Sequence, residues 1–130
     1  MTGPVMSPEL RQLLETYPEE VRKLVVNARR LLLTTLPGTS EFPDLKSRVI
    51  GYGTGTGYKD TIATLILSQK GVKIGIVGGA TLADPAGLLA GSGKVHRYVA
   101  IAEQSDLKRP ELTRLLESAS SKWKKERRIR

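Results

Sequence analysis

The spacing of the apolar residues changes once along this chain, and the change limits what it can fold into. Up to Leu36 they repeat as on a helix: Val21, Leu24, Val25, Ala28, Leu32 and Leu36 fall on one stripe, widened by Val26, Leu31 and Leu33. Beyond Lys46 they alternate or run together as in strands, with Val72, Ile74 and Ile76 sharing one side of VKIGIV. Helices first and a strand-rich middle predict an α+β domain.

Local signals set the boundaries. Ser7 followed by Pro8 reads as an N-cap and first helical residue, and Leu10, Leu13 and Leu14 form the apolar face that follows. Pro18 pushes Tyr17 out of helical geometry and separates this helix from the longer one, which Pro37 and Gly38 stop. Thr39 to Lys46 reads as a polar connector. Strands are expected over Arg48 to Tyr52 and Asp60 to Ser68, joined by GYGTGTGYK, and over Val72 to Val77 after a turn at Lys70 and Gly71. The joint has neither the spacing nor the strand-to-helix context of a dinucleotide fingerprint. A last strand, Val95 to Ala102, turns Val95, Val99 and Ile101 to the core and His96 and Tyr98 away from it. The closing helix starts at Pro110 and buries Leu112, Leu115, Leu116, Ala119 and Trp123. The expected architecture is a single domain with an antiparallel sheet of about four to five strands, packed by two N-terminal helices and a C-terminal helix, with a short helix between the last two strands. Residues 1–121 form the domain, and 122–130 are a basic tail continuing the last helix.

Between the last two strands lies GGATLADPAGLLAGSGK. Asp84 and Pro85 repeat the cap-then-proline pattern and Gly91 marks an end, which predicts a short helix plugged into the core by Leu88 and Leu89. The Gly87 to Lys94 spacing is one residue too long for a phosphate-binding P-loop, and Val95 stands where a magnesium-holding hydroxyl belongs. Glycine-flanked amides beside Lys94 still suit a small anion. By alternation Arg97 shares the core side, where an unpaired guanidinium would cost several kcal/mol, about the effective penalty for burying an ion. Asp84 is its expected partner and Glu41 the alternative.

Gly79-Ala80, Leu82, Asp84-Pro85, Gly87-Leu88-Leu89, Gly91, Gly93-Lys94, Arg97 and Val99 together resemble the signature of the YdhG-like domain-of-unknown-function family. The likeness extends over about residues 10 to 120. It implies a small α+β domain with an antiparallel sheet backed by N- and C-terminal helices, and no settled activity. One branch of that family is linked to frataxin-like iron handling, which makes an iron chaperone one alternative here. Iron delivery of that kind uses exposed carboxylates. This chain is basic, its adjacent acidic pair is Glu19 and Glu20, and Ala90 and Tyr98 replace the usual Glu and His of the signature.

Composition narrows the functional classes. The chain has no cysteine, so thiol nucleophiles, disulfides and thiolate metal sites are excluded, and His96 is its one histidine. No serine sits in a nucleophile turn, so the expectation is a non-enzymatic binding or scaffold domain without cofactor or metal. Its small ligand or protein partner is expected at the sheet face or glycine loop, through Tyr52, Lys94 and Tyr98. Of the net charge of +8, five units fall between Lys122 and Arg130. The alternative is therefore nucleic-acid binding through Lys122, Lys124, Lys125, Arg127 and Arg128. No apolar run approaches the roughly 20 residues of a membrane span. The N-terminus lacks the pattern of a secretory leader, and a cytoplasmic location is expected.

Overall fold

The computed structural model describes residues 5–55 and 57–129, apart from the side chains of Tyr58 and of 127–129. Two helices, α1 (Pro8–Leu14) and α2 (Glu19–Thr35), precede five strands: β1 (Ser40–Asp44), β2 (Val49–Gly53), β3 (Thr61–Leu67), β4 (Val72–Ile76) and β5 (Arg97–Ile101). A short α3 (Gln104–Leu107) and the long α4 (Pro110–Ile129) complete the domain. The Ser7 hydroxyl accepts the Leu10 amide at 3.2 Å, and Pro8 opens α1 as expected. α2 ends at Thr35, where Pro37 cannot continue the ladder.

The sheet is an antiparallel meander in the order β1-β2-β3-β4-β5. Residues paired across it share a face, so Ile50, Leu65, Ile74 and Val99 form one buried row. Helices α2 and α4 pack on that face, where Leu32, Leu112 and Leu116 are fully buried. Each such leucine contributes about 1.5–3 kcal/mol by leaving water. The other face carries Ile66, Lys73 and Ala100 exposed.

Three boundaries differ from expectation. Thr39 to Lys46 is no simple connector, because Ser40–Asp44 pairs with β2 as the edge strand β1. Its polar composition hid it, since only one side of an edge strand needs apolar cover. The helical element between β4 and β5 is a 3-10 turn at Gly79–Thr81, and the Asp84 region is a tighter turn. There Gly87 takes a left-handed φ of +68°, which a helix does not accommodate. Leu88 and Leu89 still pack against the core. Lastly, β5 starts at Arg97, so Val95 lies outside the sheet and is 48% exposed.

Candidate functional site

At the end of β4 the chain turns at Gly78, whose φ of +75° favours glycine. This residue is a junction. Its N–H donates to His96 Nδ1 at 3.1 Å, and its carbonyl accepts the Thr81 hydroxyl at 3.2 Å and Lys122 Nζ at 3.3 Å. The Lys122 ammonium also donates to the Thr81 hydroxyl. The middle of α4 is thereby fastened to the 3-10 turn, and the loop before β5 is fastened to the same point.

Beside this junction lies a cleft of about 310 Å³. Lys59 approaches it from the 3-10 turn that precedes β3, Lys94 from the loop before β5, and Lys122 from α4. Glu126 is the carboxylate on its wall, so three ammonium groups face one carboxylate. Ala119, Lys122, Trp123 and Glu126 follow the i, i+3, i+4, i+7 spacing of one helical stripe, which explains why α4 presents them together. Trp123 is half-buried, packing against the core as well as lining the cleft. Lys94 is exposed and forms no ion pair among the described residues.

The other residues singled out in the sequence lie elsewhere. Tyr52 is fully buried on the helix-covered face and donates to Glu41 Oε2 at 2.6 Å, so it is not a surface ligand contact. Burial is the main reason its phenol is held well above its ordinary value of 10.0, with the neighbouring Glu41 charge adding to it. Alternation along β2 showed only that Tyr52 shares a face with Ile50, and that face is the core. Tyr98 lies on the opposite sheet face, half-buried, with Lys73 Nζ 4.5 Å from its ring centre. Its backbone exchanges hydrogen bonds of 2.7 and 3.1 Å with Ala90, outside the cleft. Lys124 and Lys125 are exposed on α4. Arg127 and Arg128 continue that helix, and their side chains lie outside the described set.

The expected pairing of Asp84 with Arg97 is corrected. Asp84 accepts the amides of Leu88 and Leu89 at 2.9 and 2.8 Å, holding its own turn. Arg97 is half-buried and donates through Nε to the Gly93 carbonyl at 2.7 Å, so a local carbonyl replaces the carboxylate. Glu41, the alternative partner, belongs to Arg29. Arg29 is 2% exposed and donates to both Glu41 oxygens, at 2.9 and 2.6 Å, and to the Val5 carbonyl at 3.1 Å. The hydrogen bonds that Arg29 donates to Glu41 raise its pKa against the opposing effect of burial.

Two residues escaped the sequence reading. Arg29 lies on the buried α2 stripe, four residues after Val25, so helical spacing alone was enough to mark it. Lys59 gave no such signal, because only the β2–β3 hairpin brings it beside Lys94 and Lys122. Among the described residues no group of three or more His, Asp or Glu gathers as a metal site, which leaves the iron reading without a ligand set there. The chain matches no family model, no curated protein and no solved structure.

Proposed function

We propose that this protein is a non-enzymatic binding domain whose ligand is a small anion-bearing molecule held in the cleft at Gly78–Thr81. One observation carries the reading: Lys59, Lys94 and Lys122 line a single cleft whose wall holds one carboxylate, Glu126. A concave site lined by one sign of charge raises the local concentration of oppositely charged ligands. Lys122 is spent on positioning the 3-10 turn, and Lys94 and Lys59 are the exposed cations. Among the described residues, no backbone N–H from Gly91 to Val95 donates to a backbone carbonyl, which adds donors beside Lys94.

Membership of the YdhG-like family belongs to the same proposal; of its signature residues Leu82 and Lys94 line this cleft, while Asp84 and Pro85 line a separate hollow. A cytoplasmic location also belongs to it, supported by the cysteine-free sequence. No helix among the described residues is long and apolar enough to cross a membrane.

Calorimetric titration with inorganic pyrophosphate tests the reading. Binding should weaken with added salt, and Lys94→Gln should reduce affinity about tenfold, the value of one charge-assisted hydrogen bond. Equal affinity of the variant and the parent, or no binding by the parent at low salt, would rule the proposal out.

A further inference from the structure

We infer that the ligand of this cleft is a nucleotide unit, with its phosphate against the lysines and its base against Trp123. The inference rests on the anion-binding reading above and goes further, because the cleft has a second character that a bare anion leaves unused. Besides its cations it is lined by Leu82, Val95 and Trp123. Val95 is 48% exposed, an apolar side chain left uncovered at this one place beside an indole. A ligand that fills such a cleft has an anionic end and an apolar, flat end. Its volume of about 310 Å³ is at the small end for ligand pockets, the scale of one nucleotide unit.

Glu126 refines the choice of base. It follows Trp123 by three residues on α4, so both project from the same side of the helix. A carboxylate next to a stacking ring repels phosphate but accepts hydrogen bonds from an exocyclic amine. Adenine, guanine and cytosine carry that amine and uracil does not. Stacking on an aromatic side chain is otherwise tolerant of base identity, so the carboxylate is the element that discriminates. The nucleotide unit has two sources, a free mononucleotide or one residue of a single strand. Lys124 and Lys125, exposed on α4 and not part of the cleft lining, would meet flanking phosphates only in the second case.

Trp123 is the single tryptophan of the chain, so its emission reports on this cleft alone. The full chain is titrated with AMP, UMP, ribose 5-phosphate, pyrophosphate and an eight-residue oligoadenylate, following emission and heat. AMP is expected to quench Trp123 and bind about tenfold more tightly than ribose 5-phosphate, within the range of one stacked base. Trp123→Leu should bring AMP down to the ribose 5-phosphate level, and Glu126→Gln should narrow the gap between AMP and UMP. If ribose 5-phosphate binds as tightly as AMP to the parent protein, the nucleotide inference is overturned while the anion reading stands. If pyrophosphate also fails to bind, both fall. The double change Lys124→Gln/Lys125→Gln separates the sources: weaker oligoadenylate binding with unchanged AMP binding identifies a strand, and unchanged binding of both identifies the free nucleotide.

Discussion

Charge is handled in opposite ways at the two edges of this sheet. One register row crosses all five strands, from Glu41 through Tyr52, Ala63 and Ile76 to Arg97. At the β1 edge the charges are buried and matched. Arg29 grips both oxygens of Glu41, Tyr52 adds a third hydrogen bond, and the side chains are 2% and 12% exposed. At the β5 edge Arg97 donates to a backbone carbonyl, and the adjoining cleft is lined by three lysines and one carboxylate, Glu126. A buried pair must be closed, because either ion left alone in a dry site costs several kcal/mol. A cluster in contact with water is under no such constraint. An excess of positive charge is tolerated there, so the difference separates the part of the molecule that holds the fold from the part proposed to take a ligand.

That contrast gives graded expectations. The largest effect belongs to Glu41→Gln, which strands the Arg29 guanidinium and should lower unfolding free energy by about 3–5 kcal/mol in urea titration. Replacing both partners together, Arg29→Met with Glu41→Leu, should recover most of it, since the desolvated charges are then gone. A single-variant loss below about 1 kcal/mol would mean that the pair is not truly dry, and the comparison would collapse. A smaller effect is confined to alkaline conditions. Tyr52 ionises less readily when folded than its ordinary value of 10.0, so above about pH 10 the unfolded chain releases a proton that the folded one retains. Stability from this group is fully present below that pH and falls by about 1.4 kcal/mol per pH unit above it. Subtracting the Tyr52→Phe pH profile from the parent profile isolates the slope, and identical profiles would contradict it. The smallest effect is at the cleft: Lys94→Gln should change unfolding free energy by no more than about 0.5 kcal/mol even as pyrophosphate binding drops. A large loss of stability there would make Lys94 a structural residue and erase the distinction between the edges.

Much of the fold was legible because its signals are local. The Ser7-Pro8 start of α1, the stop of α2 before Pro37, the Pro110 start of α4 and the Lys70-Gly71 turn each depend on atoms a few residues apart. The site was legible only in fragments. Lys94 and Lys122 were singled out for separate reasons and meet in one cleft, whereas Tyr52 and Tyr98 were grouped with Lys94 and lie apart from it. Asp84 was read correctly as a residue that holds backbone amides, and incorrectly as the partner of Arg97.

The amino-acid order by itself determined α1, α2 and α4, four of the strands and the absence of thiol chemistry, since periodicity, capping and composition act within a few residues or none at all; the short α3 and the turn at Asp84 were not read from it. Tertiary structure alone decided that Ser40–Asp44 is a strand, that Glu41 belongs to Arg29 and that Lys59, Lys94 and Lys122 share a cleft. The physical reason is that these depend on sheet register and helix docking, which bring together groups 12 to 63 positions apart. Which charges meet, and which gather at the surface, is settled only when the helices close over one face of the sheet.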